Sequence, residues 1–262
     1  MPPPDLTDEP TDRPTDQPTD QPTDLRASLD AALAELAAAT GRLLASAGKL
    51  TDSSIAGPSR LPGWTRGHVI THLARNADAM ARLLVGLADG HEVAMYASAA
   101  ARDDEIEAGA GRPAAEQLAD LETSAAGFAA AARALPATVL GGLVYVGLGR
   151  IPVRGADAPL LRVREVQIHH VDLGVGFAPD DWPNVFCTRT LDQLTPFFRE
   201  QRTMPLGRLV DPALDRAWIV ADTGPDLSGA ASMLAAWLVG RSTGPDLEMS
   251  DRTAVPSAPA WV

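Results

Sequence analysis

The chain contains very few of the residues on which several kinds of site depend. Its 262 residues include one cysteine, Cys187, and one lysine, Lys49. A single cysteine excludes an intramolecular disulfide and a cysteine-rich zinc site, and it is typical of a protein from a reducing compartment. No apolar stretch reaches the roughly 20 residues that cross a bilayer, and the N-terminus lacks the basic and apolar segments of a signal peptide. We therefore expect a cytoplasmic protein with no membrane partner.

Positive charge is scarce as well. The formal net charge is −12, and half of this excess falls within residues 1–24. No basic stripe is left to neutralise phosphates, which argues against nucleic acid as a partner. Apolar residues nevertheless make up 45% of the chain, so a substantial core can be buried. The composition indicates one large globular domain or two ordinary ones.

Residues 1–24 differ from the rest of the chain. From Pro10 onward they repeat Pro-Thr-Asp-x with a period of four, and Leu6 is their only large aliphatic residue. A proline at every fourth position removes backbone donors and blocks a helix, and almost nothing is available to bury. We predict that 1–24 is a disordered tail and that ordered structure begins near Leu25.

Residues 25–178 are predicted to form a four-helix bundle. Thr65 is a candidate N-cap for its second helix, and Gly174 follows the last one as a helix terminator. The β-branched, glycine-interrupted stretch 138–153 predicts extended or hairpin structure. The segments with a helical apolar period or a high alanine content are 25–50, 65–88, 114–135 and 159–173.

After Pro179 the sequence pattern becomes a mixture of helix and strand. This mixture predicts a smaller α/β domain over 179–262. The predicted fold class is therefore α+β, with an N-terminal helix bundle and a smaller C-terminal α/β domain. The segments behind this prediction are an amphipathic stretch at 185–199, two short apolar runs at 206–210 and 217–221, and a helix-like stretch at 227–239.

Two residues of metal-ligand type stand on the fourth predicted helix. Glu165 and His169 are four residues apart, so a helix places their side chains about 40° apart on one face. A carboxylate and an imidazole at that spacing can hold a divalent metal, as in the His-Glu-x-x-His helices of zinc enzymes. An ordinary helix pair, or a carboxylate paired with Arg162 or Arg164, explains the same residues. Spacing alone leaves these alternatives open.

A third ligand would have to come from another helix. The second predicted helix offers His68 and His72, again four residues apart, and spacing does not choose between them. Either histidine can equally be a surface or a satisfied core residue. Arg241 follows an apolar helix, where it is either an arginine favoured by the helix dipole or a bidentate clamp for a substrate carboxylate.

Two long segments carry a family resemblance. They are Leu-Pro-Gly-Trp-Thr-Arg-Gly-His-Val-Ile-Thr-His-Leu at 61–73 and Arg-Glu-Val-Gln-Ile-His-His-Val-Asp-Leu-Gly at 164–174. Both resemble the mycothiol-dependent maleylpyruvate isomerases. Shorter stretches at 95–106 and 235–241, and the closing Pro-Ala-Trp-Val, agree with the same family in the same order. The resemblance covers about residues 25 to 262.

The resemblance implies a DinB-like four-helix bundle followed by a small α/β domain similar to sterol-carrier domains. It implies a divalent metal, usually zinc, bound by His72, Glu165 and His169, and so selects His72 over His68. Arg241 matches the family's arginine at the mouth of the site, where it is expected to act in catalysis. An open metal position would hold mycothiol as a thiolate.

The function implied by the resemblance is a cis-trans isomerisation in aromatic degradation. Mycothiol would add to maleylpyruvate, the former double bond would rotate, and elimination would give fumarylpyruvate. Two other functions stay open, namely a thiol S-transferase that acts on a different electrophile and a non-catalytic binding or regulatory protein. An open metal position argues against the last of these. We expect a monomer whose partners are mycothiol and a small electrophile.

Overall fold

Alanine and leucine recur at helical spacing through the first two thirds of the chain, and this part is mainly helical. The structure, a computed structural model, describes residues 22–258, and the statements below refer to that range. A β-hairpin of β1 (Leu143–Val146) and β2 (Ile151–Arg154) precedes the last of these helices. The helices are α1 (Pro22–Ala47), α2 (Asp52–Ile55), α3 (Arg66–Ala88), α4 (Ala99–Ala110), α5 (Ala114–Ala134) and α6 (Ala158–Asp172).

Helices α1, α3, α5 and α6 form the predicted bundle. Helix α3 packs most extensively against α5 and also contacts α4 and α6, while α1 packs along α6. Helix α3 is therefore central, and most of its residues are buried. The largest fully buried side chains of the bundle are Leu29, Leu43, Ile70, Leu73, Leu84, Leu121 and Phe128.

Helix α1 begins at Pro22, three residues earlier than predicted. A proline is tolerated in the first turn of a helix because its missing N–H has no helical acceptor there. The negative charge of Asp24, in the same turn, interacts favourably with the positive end of the helix dipole. Helix α1 thus includes the last three residues of the predicted tail. Residues 1–21 of the predicted tail lie outside the described residues.

Helix α4 lies between two predicted helices, in a stretch where the sequence predicts none. Only Ile106, Gly109 and Ala110 of this helix are buried, so its sequence shows almost no apolar period. The Ser98 side chain caps its start by accepting the amide of Ala101 at 3.0 Å. Contact with α3, rather than an amphipathic pattern, accounts for its position.

The C-terminal part contains the predicted mixture of helix and strand. Its sheet runs in the order β4-β3-β5-β6, with β3 antiparallel to β4 and parallel to β5. Helices α7 and α8 pack against each other, and α8 also contacts β3. The elements are α7 (Asn184–Gln201), β3 (Arg208–Asp211), β4 (Arg216–Ile219), β5 (Asp226–Ser228), α8 (Ala231–Leu238) and β6 (Glu248–Met249).

One predicted helix of this part divides into two elements. The stretch 227–239 begins as strand β5, whose residues pair with β3 and β6, and continues as helix α8 only from Ala231. Pairing with two neighbouring strands therefore overrides the local helical pattern at its start. The mixed helix and sheet architecture of the predicted fold class is otherwise present. Within residues 22–258, no helix combines the length and the apolar character that a bilayer span requires.

Two helical glycines give opposite predictions for stability. A Cβ atom on Gly67 in α3 would clash with the carbonyl oxygen of Ala110, whereas one on Gly127 in α5 would meet nothing within 4 Å. We expect Gly67→Ala to lower the free energy of unfolding by about 1–3 kcal/mol, because backbone of α4 cannot give way easily. Gly127→Ala should raise it by about 0.5–1 kcal/mol. Denaturant unfolding of both variants measures this, and a Gly67→Ala protein as stable as the wild type would contradict the close approach.

Candidate metal centre

The two histidines of α3 have different surroundings. The Thr65 side chain caps α3 by accepting the backbone N–H of His68, and His68 Nδ1 accepts the Thr65 N–H at 3.2 Å. The other ring nitrogen of His68, Nε2, lies 3.0 Å from Glu107 Oε2. His72, one turn later, is buried and faces α6. The structure thus uses His68 in a helix cap and a hydrogen bond with Glu107, and brings His72 to Glu165.

His72, Glu165 and His169 converge at one point between α3 and α6. Each offers one possible ligand atom, and these atoms lie within 4.8 Å of one another. Glu165 Oε2 is 3.2 Å from His72 Nε2 and 3.7 Å from His169 Nε2. The two imidazole rings meet edge to face, with centroids 4.6 Å apart. Two nitrogens and one carboxylate oxygen fit the ligand preference of zinc, and three protein ligands leave a position open for a further group.

The protonation states of this cluster suit a metal. Burial lowers the pKa of His72 to about 4, and the hydrogen bond with Glu165 offsets only part of that effect. Burial alone would raise the pKa of Glu165, but its hydrogen bond with His72 and the nearby His169 and Arg162 hold it well below its usual range. At neutral pH the pair is therefore a neutral imidazole and an ionised carboxylate. A divalent metal requires ligands in these states.

The Asp172 carboxylate contacts the His169 ring on its Nδ1 side. His169 Nδ1 lies 2.8 Å from Oδ2 of Asp172, and Arg241 donates to both Asp172 oxygens, from Nε at 3.0 Å and from Nη2 at 2.8 Å. The pKa of Asp172, which burial would raise, is lowered by these two partners. A carboxylate that accepts the Nδ1 proton directs the Nε2 lone pair towards the ligand position. Arg241 thus contacts His169 indirectly, through Asp172.

A tight turn after α8 places Arg241. Gly240 has a φ of 71°, a left-handed conformation that favours glycine, and the Arg241 amide donates back to the Ala236 carbonyl at 2.7 Å. The Arg241 side chain also donates from Nη1 to the Val239 carbonyl at 2.9 Å. Its guanidinium is therefore held against Asp172 in this structure. A direct contact between Arg241 and a substrate carboxylate stays a prediction.

The neighbours of Glu165 and His169 on α6 have structural contacts. Arg162 is fully buried and donates to Asn76 Oδ1 at 2.6 Å, with the charge of Glu165 nearby. His170 points away from the cluster, with Nε2 at 2.8 Å from Ser46 Oγ and its ring stacked on Phe177. This agrees with the structural role that its angular position on the helix predicts.

Besides Asp172, the side chains of Arg102, Tyr96 and Trp64 lie near the triad without having been predicted as site residues. Arg102 Nη2 lies 3.4 Å from His72 Nδ1, and Arg102 Cζ lies 6.0 Å from the centre of the Tyr96 ring. The Trp64 ring centroid is 5.7 Å from that of His72. They come from α4 and from two loops, where no ligand spacing marks them. The available signal is the family resemblance, whose 61–73 segment contains Trp64 and whose 95–106 segment contains Tyr96 and Arg102.

Comparison with known proteins identifies the family. A family model described as the mycothiol maleylpyruvate isomerase N-terminal domain matches residues 36–174, which is more than half of the chain. The chain belongs to the mycothiol maleylpyruvate isomerase family. The matched range contains His72, Glu165 and His169 and ends just after α6. The family resemblance inferred from the sequence is confirmed.

Solved structures extend this likeness to the C-terminal part. The chain is similar to a crystal structure of the mycothiol-dependent maleylpyruvate isomerase, with a TM-score of 0.82 and 26% identity. The match covers 89% of this chain and 97% of the solved one. A second crystal structure, of a histidine-to-alanine mutant of the mycothiol-dependent maleylpyruvate isomerase, matches with the same values. The predicted α+β fold class is confirmed, whereas no curated protein matches the chain.

Proposed function

We propose that this protein is a metal- and mycothiol-dependent isomerase that converts maleylpyruvate into fumarylpyruvate. The observation that carries the proposal is the convergence of His72, Glu165 and His169, each with a ligand atom facing the same point, in a member of this family. A zinc ion bound there would supply an open position at which a thiol loses its proton and becomes a nucleophile. Family membership supports the reaction class, and the triad supports the metal.

The protein's own residues prepare this site before any ligand binds. Low pKa values keep His72 neutral and Glu165 ionised at neutral pH, which are the net charge states that a divalent metal requires of its ligands. Asp172 fixes the orientation of the His169 ring. The buried charge of Arg162 compensates that of Glu165. This pre-organisation favours a site with three protein ligands and one exchangeable position.

The proposed reaction needs no oxidant or reductant. A reversible bond between the thiol sulfur and an alkene carbon makes the former double bond rotatable, and its cleavage returns the thiol unchanged. A cationic group near the substrate is needed, because the electron pair displaced from the double bond moves onto an oxygen as an enolate. In our proposal Arg241 acts in catalysis by positioning Asp172 and His169, and a direct contact of Arg241 with a substrate carboxylate is the alternative that the sequence predicts.

An activity assay with a panel of thiols tests the proposal. Zinc-loaded protein should convert maleylpyruvate into fumarylpyruvate with mycothiol, and it should lose this activity when the thiol is omitted. Glutathione and free cysteine serve as matched thiol controls. If no thiol supports isomerisation but mycothiol is joined to a general electrophile, the protein is an S-transferase instead. If neither reaction occurs and no zinc is bound, a binding or regulatory protein is indicated.

A further inference from the structure

Arg102 lies beside the triad, on the Nδ1 side of His72. It stands in the first turn of α4, with Nη2 at 3.4 Å from His72 Nδ1. Its guanidinium also lies over the Tyr96 ring, with Cζ 6.0 Å from the ring centroid. The side chain is 27% exposed, so it connects the buried triad with solvent. Arg102 thus contacts one ring nitrogen of His72, and Glu165 contacts the other.

The arginines around the triad differ in how firmly their charges are paired. Arg241 binds both oxygens of Asp172, whose side chain is only 2% exposed. Arg162 is fully buried, bound to Asn76 and close to the charge of Glu165. These two guanidinium groups are thus committed to buried partners.

The carboxylate that pairs with Arg102 is exposed to solvent, unlike the buried Asp172 that pairs with Arg241. It belongs to Asp103, the next residue along the chain, at 2.7 Å from Nη1. The Asp103 side chain is 64% exposed. An exposed ion pair of this sort contributes little to stability, because water competes for both charges. An incoming anion can therefore replace Asp103 at low cost, which is not true of the partners of Arg162 and Arg241.

The surroundings of Arg102 suit a carboxylate. A guanidinium presents a rigid fork of donors that matches the two oxygens of a carboxylate. Tyr96 lies against it, and burial together with the charge of Glu165 raises the pKa of the Tyr96 phenol. Its hydroxyl therefore keeps its proton at neutral pH and adds no negative charge that would repel an anion.

We propose that Arg102 binds a carboxylate of the substrate and so makes the site specific for a short cis-alkenedioate. This inference rests on the proposed function, from which it takes the substrate class. The two cationic residues then have separate roles. Arg102 contacts the substrate, whereas Arg241 is a positioning residue that acts on His169 through Asp172.

Maleate binding to the zinc-loaded protein, without thiol, tests the role of Arg102 apart from turnover. Isothermal titration calorimetry should give a Kd about 10- to 100-fold higher for Arg102→Gln than for the wild type, as expected for the loss of a charged hydrogen-bonding group. Arg102→Lys should fall between the two, because it keeps the charge and loses the fork. Zinc content, measured by elemental analysis, should stay unchanged. Arg199→Gln is the matched control, since Arg199 also pairs with an exposed aspartate, Asp222, in the C-terminal part.

The steady-state kinetics should separate the two arginines. Arg102→Gln should raise the KM for maleylpyruvate at least about tenfold, with a smaller change in kcat. An unchanged affinity for maleate in Arg102→Gln, or a wild type that does not bind maleate, would overturn the proposal. So would a loss of affinity confined to Arg241→Gln, or a loss of zinc in both Arg102 variants, which would indicate a structural role.

The two proposals can fail independently. If the wild type does not isomerise maleylpyruvate but binds maleate in a manner that depends on Arg102, the proposed function is wrong and the anion site stands. If the wild type isomerises maleylpyruvate and Arg102→Gln binds and turns over its substrate equally well, the anion site is wrong and the proposed function stands.

Discussion

Glu165→Gln is expected to produce a folded protein that neither retains zinc nor isomerises maleylpyruvate. The amide has the shape of the carboxylate but supplies no anionic oxygen, so two of the three ligands remain. If the roughly 10–16 kcal/mol of a four-ligand zinc site is divided equally, each ligand supplies about 3 kcal/mol, or more than 100-fold in affinity. Without the metal, the thiol has no group to lower its pKa, and turnover should fall to the background rate.

Zinc content after dialysis, a competition titration with a chromophoric chelator and the isomerase assay together measure this effect. His72→Ala should behave in the same way. His68→Gln is the matched control on the same helix, because glutamine at this position keeps the capping box with Thr65. It should retain both zinc and activity. Zinc bound normally by Glu165→Gln and His72→Ala, or lost from His68→Gln, would show that the wrong residues have been assigned.

Sequence patterns predict the parts of this site that depend on local geometry. The i, i+4 spacing of Glu165 and His169 becomes a shared helix face as soon as α6 forms. Thr65 caps α3 because a hydroxyl residue precedes a helical segment, and this sets the start of the helix that carries His72. Residue spacing could not choose His72 over His68, because the two histidines lie one turn apart on the same helix. The family resemblance selects His72, and in the structure contact with Glu165 and burial against α6 separate it from His68.

The missed residues depend on contacts between distant segments. Arg102 stands on α4, whose polar sequence gives no amphipathic signal, and it reaches His72 across 30 residues of sequence. The Asp172–Arg241 pair joins residues 69 positions apart, and no local pattern encodes that distance. One signal was available, since Asp172 is three residues after His169 and shares its helix face. A carboxylate at that spacing from a candidate ligand predicts an orienting partner.

Asp172→Asn is expected to lower both the affinity for zinc and the stability of the protein. Asp172 is buried and accepts hydrogen bonds from Arg241, and its Oδ2 faces His169 Nδ1 at 2.8 Å. Loss of the carboxylate charge should cost about 1–3 kcal/mol, because it weakens charged hydrogen bonds to Arg241, whose side chain is 21% exposed. Loss of the carboxylate that orients a ligand histidine typically weakens metal binding by about 10- to 100-fold. Denaturant unfolding in the presence of a chelator and zinc titration measure the two effects separately.

The variants Arg241→Gln and Asp172→Asn, alone and combined, form a cycle that assigns the role of Arg241. If Arg241 acts through Asp172, the two substitutions should not be additive, because each removes the same contact. Arg241→Gln alone should weaken zinc binding less than Asp172→Asn, since Asp172 then keeps its bond to His169. If Arg241 instead binds the substrate directly, Arg241→Gln should raise KM while zinc affinity stays at the wild-type value, and the effects on KM of the two substitutions should add. The bidentate contact with buried Asp172 favours the first result, because Nε and Nη2 of Arg241 already donate to Asp172 and Nη1 donates to the Val239 carbonyl.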